Sequence, residues 1–214
     1  MIEDGHVQFL SYSARQALLV AQEAHKIALT TRFNVLRDAA SATRKLTFFT
    51  TSAFLKLPEI TTLWTNANSV IDDATWASVL PGVEAAISSR RHNLRGEAVR
   101  AILASKGFSA DRIDIEVREN LDSYTSAYFQ RVTSLFRDDH GHLRAYPAIL
   151  DNLGRRKLSE CKSKLSTRIL RKIVEASGMG KKATVAQLDS RAPVMCFAED
   201  STSGRRYAWR QIVR

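Results

Sequence analysis

The sequence predicts a mainly α-helical protein, a multi-helix bundle that ends in a small C-terminal β-hairpin. Its 214 residues include only 9 glycines and 4 prolines, and 44% are hydrophobic, so long helices can form around a sizeable core. Apolar residues recur three and four positions apart over most of the first 176 residues, which is the spacing of one helical face. Residues 192–213 instead contain extended and alternating segments around a turn, which indicates a hairpin.

The amino-terminal third is expected to form a long helix followed by shorter ones. No Pro or Gly occurs from Phe9 to about Lys45, which predicts one helix, or two with a break near residues 30–32. The Thr-rich segment 46–55 is assigned to a helix by its context. Pro58 suits a first helical turn, so a short helix should run from there through Trp64.

Two consecutive helices are expected between residues 72 and 107. Asp72 or Asp73 can cap the first, which carries Trp76, Val79 and Leu80. Pro81 then opens the second, which extends through Leu103. Gly107 stands where the left-handed geometry of a helix end is wanted.

The next part of the chain predicts two more long helices separated by a loop. Residues 111–137, capped by Ser109, place apolar side chains at spacings of three and four. Residues 138–142 form the loop that follows. A basic helix is expected over 147–176, with Gly178 and Gly180 closing it.

The tail changes character after the basic helix. Thr184 and Gln187 have the spacing of a capping box for a single helical turn. Residues 192–198 and 205–213 are expected to pair as the hairpin. We therefore expect a helical domain over 1–182 and a small hairpin subdomain over 183–214, packed on it.

The net charge of +10 is concentrated near the carboxyl end. Residues 1–150 carry 17 basic against 16 acidic side chains, whereas residues 151–214 carry 15 against 6. This asymmetry indicates a near-neutral helical body joined to a basic surface that binds a polyanionic partner. The alternative is a solvated basic helix with no partner beyond counterions. Under the first interpretation, the first 150 residues are not expected to contribute to binding.

The predicted binding surface lies on the basic helix, the segment after it and the hairpin. Leu158, Leu165, Ile169 and Ile173 recur at helical spacing and should form the buried stripe of the basic helix. The cations left on the surface are Arg155, Arg156, Lys157, Lys162, Lys164, Arg168, Arg171, Lys172, Lys181, Lys182, Arg205, Arg206 and Arg210.

The class of partner stays open between an acidic protein surface and nucleic acid. A cationic helical face suits phosphate contacts, whose affinity falls steeply with salt. No helix-turn-helix, zinc-finger or RNA-recognition signature is present in the sequence. Tyr207 and Trp209 stand among arginines and could stack on bases, although anchoring the hairpin to its own core is the favoured interpretation. The leading hypothesis is a non-catalytic interaction module, and the alternative is a nucleic-acid-binding protein.

Catalytic and metal-binding motifs are not found. None of the five histidines lies in a recognised motif, and Gly178–Lys182 lacks the spacing of a phosphate-binding loop. Asp138–His142 offers metal ligands, but two acids followed by His and Gly are also an ordinary helix exit. Cys196 is expected to be a buried small apolar residue. We expect no enzyme activity, cofactor or metal.

The cell compartment is predicted to be intracellular, either nucleus or cytoplasm. The chain contains two cysteines, which argue against a disulfide-rich secreted domain. Its first residues lack the basic start and apolar block of a signal peptide, and no window approaches the roughly 18 apolar residues of a membrane span. No association with a membrane is expected.

The order of several features resembles a group of uncharacterised basidiomycete fungal proteins. These features are Leu57-Pro58-Glu59, the helix from Asp73 to Leu80, Pro81, and the hairpin from Val194-Met195-Cys196-Phe197 to Trp209. Proteins of that group often carry an F-box, then a helical region of this layout and a closing hairpin similar to a zinc knuckle. The resemblance implies an interaction module of a fungal regulatory protein. This chain shows no F-box-like segment before the helices, and Cys196 stands alone where a knuckle needs several ligands.

Overall fold

A computed structural model describes the backbone of residues 3–66, 68–153, 156–191, 194–195 and 207–208, and the side chains of 12–66, 68–153 and 156–191. Contacts divide the chain into two compact units, residues 1–91 and 92–214. The predicted division at residue 182 does not coincide with this boundary. The α-helices of the described residues are α1 Glu3–Asp38, α2 Ala42–Lys45, α3 Thr51–Phe54, α4 Pro58–Thr65, α5 Asp73–Ser105, α6 Ala110–Asn120, α7 Ser126–Phe129, α8 Lys164–Ala176 and α9 Val185–Arg191.

Short elements complete the backbone. Three 3₁₀-helices lie at Leu121–Ser123, Val132–Ser134 and Ala148–Asn152. Strands β1 Phe136–Arg137 and β2 Leu143–Arg144 pair antiparallel, as do β3 Val194–Met195 and β4 Tyr207–Ala208. The register of the second pair matches Val194 with Ala208 and Met195 with Tyr207. The structure confirms the predicted class, mainly α with a small C-terminal hairpin.

The first unit is built on aromatic packing. Phe33 of α1 stacks on Phe54 of α3 with ring centroids 4.2 Å apart, and Ile60, Val83 and Ile87 are buried with them. The predicted helix over 9–45 is one continuous helix to Asp38 followed by the separate α2. In the 46–55 segment only Thr51–Phe54 is helical, capped by the Thr50 hydroxyl.

Pro81 does not begin a new helix, which corrects the prediction. It lies inside the continuous helix α5. Trp76 and Val79 before it, and Val83 and Ile87 after it, pack into one core, and this burial offsets the lost backbone hydrogen bond. The predicted ends are confirmed: the Asp72 carboxylate accepts a hydrogen bond from the Thr75 amide at 2.7 Å, and Gly107 has a φ of +88°.

The second unit contains two buried clusters, and its first segment departs from the predicted helix over 111–137. Helix α6 ends at Asn120, and the chain then breaks into 3₁₀ turns, α7 and β1. Adjacent residues such as Tyr128 and Phe129, or Leu135 and Phe136, are all buried. The Val132 amide donates a hydrogen bond to the Ala183 carbonyl at 3.0 Å, and the Gln130 carbonyl accepts one from the Val185 amide at 3.0 Å. These backbone groups pair with a distant segment and not along a helix, so the continuous helix is replaced by turns.

The basic helix is also shorter than predicted, since it begins at Lys164 and not near residue 147. The Ser163 hydroxyl caps it by accepting a hydrogen bond from the Ser166 amide at 3.0 Å. Before it, the Cys161 carbonyl accepts a hydrogen bond from the Arg137 amide at 2.8 Å, which ties this segment to β1. The chain upstream is therefore held in turns. The predicted capping box is present, and α9, which follows it, is seven residues long.

Candidate polyanion-binding site

Helix α8 carries four exposed cations on one side, which we name the α8 basic face: Lys164, Arg168, Arg171 and Lys172. At 3.6 residues per turn, they fall within about 100° of one another around the helix axis. The opposite side packs Thr167, Leu170, Ile173 and Val174 into the second cluster of the unit. Helix α8 is therefore amphipathic, with one side in the core and one side positively charged.

The buried stripe of α8 differs from the predicted one. Ile173 is buried as expected, but Leu165 is 59% exposed and Ile169 only half-buried. Leu158 is buried, although it lies in a turn before the helix. The prediction failed because it placed residues 158 and 164 on one continuous helix.

Cations of the α8 basic face have no acidic partner. Within the part of the chain that the structure describes, no carboxylate oxygen lies within 4 Å of these four side chains. Arg156 differs, since its guanidinium lies 3.3 Å from the Asp139 carboxylate. Lys157 is exposed and lines a separate cavity of about 570 Å³ together with Glu97 and Asp114.

Lys162 is not a surface residue, which corrects the prediction. Its side chain is buried, and its amine donates hydrogen bonds to the Thr133 carbonyl at 2.9 Å and to the Leu135 carbonyl. Burial lowers the pKa of Lys162 to about 7, and the nearby Lys106 charge adds to this effect. The burial of Lys162 could not be predicted, because this residue lies among other cations in a polar segment of the sequence.

The remaining predicted residues fall into two groups. Lys181 and Lys182 are exposed. They follow Gly178, which has a φ of +65° and lies just after the end of α8, where the chain changes direction. Arg155, Arg205, Arg206 and Arg210 lie outside the described residues, as do Cys196 and Trp209.

A cavity of about 480 Å³ lies in the second unit and is lined by cations from several elements. Arg171, Lys181 and Lys182 come from the predicted basic region. Lys106, just after α5, and Arg131, just before the second 3₁₀-helix, come from the first 150 residues, which were not expected to contribute. Composition could not reveal them, because acidic residues elsewhere in that region balance their charge.

Burial and the neighbouring cations both disfavour the charged form of Lys106 in this cavity. Burial, with the charges of Arg131 and Arg171, lowers the pKa of Lys106 to about 8. Its amine lies 3.0 Å from the Tyr128 hydroxyl oxygen, and the Arg131 guanidinium carbon lies 4.8 Å from the centroid of the same ring. Tyr128 therefore contacts both cations, and no carboxylate oxygen of the described residues lies within 4 Å of either.

The loop over 138–142 closes the turn between β1 and β2. The Asp138 carboxylate is buried and accepts hydrogen bonds from Arg144 Nε at 2.8 Å and from the amides of His142 at 2.8 Å and His140 at 3.0 Å. Burial opposes its ionisation, but these hydrogen bonds outweigh burial and lower the pKa of Asp138 to about 2. Its two oxygens are thus occupied by the fold.

Potential metal ligands and Cys161 are the other chemistry-bearing groups among the described residues. Among the described residues, no three His, Cys, Asp or Glu side chains are grouped so that they could hold a metal ion. Cys161 is buried and has a thiol pKa raised by that burial, which disfavours the reactive thiolate.

Comparisons with protein-family models, with curated proteins and with solved structures give no match for this chain. Among the described helices, none is long and apolar enough to span a membrane. The fold and the site together define a mainly helical protein with a cationic surface and a cationic cavity in its second unit.

Proposed function

We propose that the protein is a non-catalytic interaction module that binds an acidic protein partner through the α8 basic face. The observation that carries the proposal is the set of four exposed cations without an acidic partner among the described residues. Surface cations that serve only solubility are usually interspersed with carboxylates, as Arg118 and Glu119 are on α6. Helix α8 carries these four cations and one exposed carboxylate, Glu175 in its last turn, which lies within 4 Å of none of them among the described residues. The α8 basic face offers its charge to another molecule.

Leu165 supports a protein partner. Its side chain is 59% exposed and follows Lys164 in the first turn of α8, at the edge of the basic face. Protein interfaces bury apolar side chains together with neighbouring polar and charged ones, and an exposed leucine beside cations offers both. A complementary partner would present carboxylates next to an apolar side chain, and charge attraction would speed its association.

Nucleic acid is the second candidate, because the cations continue beyond α8. Lys181 and Lys182 extend the positive surface past the helix end, so the charge is spread as a phosphate backbone requires. Such binding would be insensitive to base sequence, since phosphate contacts carry no sequence information.

Fluorescence anisotropy of three labelled probes separates these functions: a Glu-rich peptide that contains leucine, a short duplex DNA and a single strand. Each probe is titrated at about 50 and about 200 mM salt. Tighter binding of the peptide supports the leading proposal. Tighter binding of either nucleic acid, with a steep loss at the higher salt, supports the second candidate. The absence of binding to all three probes at the lower salt would contradict both.

A matched pair of variants locates the surface. Lys164, Arg168 and Lys172 changed together to Ala remove three charges from the α8 basic face. Changing Arg15, Arg91 and Arg118 to Ala removes three charges from exposed positions elsewhere. We expect at least a tenfold loss of affinity in the first variant and less than a twofold loss in the second. Equal losses would show that net charge, and not the α8 basic face, determines binding.

The resemblance noted in the sequence suggests a place for this module in a fungal regulatory protein. That origin, and the nuclear or cytoplasmic location, stay predictions.

A further inference from the structure

The cavity described above, which we name the Lys106 cavity, differs in kind from the open α8 basic face. Its wall contains one carboxylate, Glu175, and five cations: Lys106, Arg131, Arg171, Lys181 and Lys182. They come from the end of α5, the second 3₁₀ segment, α8 and the segment after it. A concave site of about 480 Å³ lies within the range of small-molecule pockets.

The fold brings these charges together without neutralising them. Among the described residues, no carboxylate oxygen lies within 4 Å of any of the five cations, and this holds for Glu175 as well. Lys106 and Arg131 are half-buried, and both contact the Tyr128 ring, which limits their freedom to move apart. Holding partly desolvated like charges together costs free energy, and an anion in the cavity would recover it.

The residues favour phosphate as that anion. Arg131 and Arg171 offer planar guanidinium groups that bind phosphate oxygens in pairs, while the lysines supply point charges around them. Five cations exceed what one phosphate group needs. Val174 and Met179 give part of the wall an apolar surface, against which an organic portion could pack.

We propose that the Lys106 cavity binds a small molecule that carries two or more phosphate groups. This goes beyond the proposed partner-binding function, because Lys106 and Arg131 are not part of the α8 basic face. Arg171 belongs to both sites, so an occupied cavity would reduce the positive charge available to a macromolecular partner.

Isothermal titration calorimetry of the full chain tests the proposal with inorganic pyrophosphate and tripolyphosphate as probes, and with orthophosphate for comparison. We expect pyrophosphate and tripolyphosphate to bind at least tenfold more tightly than orthophosphate, with one molecule bound per chain. Equal affinity for all three, or no binding of the two longer anions, would overturn the proposal.

Two double variants place the binding site. Lys106→Met with Arg131→Gln removes two cavity charges while keeping unbranched side chains at both positions, and should weaken pyrophosphate binding at least tenfold. Lys164→Met with Arg168→Gln makes the same changes outside the cavity and should weaken it less than twofold. Equal weakening by both would mean binding to net positive charge, which contradicts a cavity site.

A third variant tests the proposal even if the Lys106→Met, Arg131→Gln variant does not fold. Glu175 is exposed, so Glu175→Gln should leave the fold intact while removing the only carboxylate of the cavity wall. We expect pyrophosphate to bind about threefold more tightly, and unchanged or weaker binding would overturn the proposal. Because peptide and nucleic-acid binding depend on Lys164, Arg168 and Lys172, the failure of one proposal is distinguishable from the failure of the other.

Discussion

Replacing the buried Lys162 with methionine should change how the stability of the protein depends on pH. The wild-type amine is buried against two backbone carbonyls and near Lys106, and its pKa is about 7, compared with 10.5 in the unfolded chain. The folded state therefore disfavours the charged amine. This penalty is fully present below the folded pKa and is relieved as the pH rises from about 7 towards 10.5.

The size of the effect follows from linkage between proton binding and folding. With these two pKa values, the contribution of Lys162 to the free energy of unfolding rises by about 2–3 kcal/mol between pH 6 and pH 9. Lys162→Met loses this dependence. It also leaves the Thr133 and Leu135 carbonyls without their donor, at a cost of about 1–3 kcal/mol that does not depend on pH.

Urea unfolding followed by circular dichroism at the two pH values measures the effect. The stability of the variant relative to wild type should be about 2–3 kcal/mol more favourable at pH 6 than at pH 9. Other titrating groups, including Lys106, are present in both proteins and largely cancel. If the difference between the two proteins were the same at both pH values, the buried, desolvated amine would be the wrong description.

Two further predictions concern the packing of α8 and the β1–β2 turn. Leu170 is fully buried and Leu165 is 59% exposed on the same helix. In the same urea experiment, Leu170→Ala should lower the free energy of unfolding by about 2–5 kcal/mol and Leu165→Ala by less than about 0.5 kcal/mol. Similar losses in the two variants would contradict the orientation of α8. Asp138→Asn should cost about 2 kcal/mol at pH 7, because the lowered pKa of Asp138 stabilises the fold above about pH 4, and this cost should shrink as the pH falls towards 2. A cost that is unchanged at low pH would show that the Asp138 charge is not what holds the turn.

Helix spacing predicted the fold class well, because it reports on one buried face at a time. The Asp72 cap, the helix starting at Pro58, the turn at Gly107 and the capping box at Thr184 depend on neighbours along the chain, and the structure contains each of them. The C-terminal hairpin was likewise visible in the alternation around a turn.

The failures share one physical cause, which is burial decided by distant residues. Pro81 stays inside a helix because both sides of it pack into one core. The helix expected from residue 147 begins at Lys164, because two residues before it are held by other parts of the chain. The Cys161 carbonyl accepts a hydrogen bond from β1, and the Lys162 amine donates hydrogen bonds to the carbonyls of residues 133 and 135. Each of these contacts involves residues that lie far apart in the sequence.

Only the part of the candidate site that is formed by residues close together in the sequence could be predicted. The α8 cations at positions 164, 168, 171 and 172 are neighbours by helical spacing alone. Lys106 and Arg131 join them in a cavity only through folding, from a region whose net charge is close to neutral. Charge counted along the sequence can locate a basic helix, but it cannot find cations that tertiary structure assembles.

The α8 cations, which have no acidic partner among the described residues, are expected to bind a polyanion. The salt dependence of the affinity for the tightest-binding anisotropy probe tests this when it is measured for wild type and for the variant with Lys164, Arg168 and Lys172 changed to Ala. Each lost ionic contact should flatten the plot of log affinity against log salt; for duplex DNA the slope falls by about 0.9 per phosphate contact. We expect a markedly shallower slope in the variant, whereas an identical slope in the two proteins would show that these cations do not bind the probe.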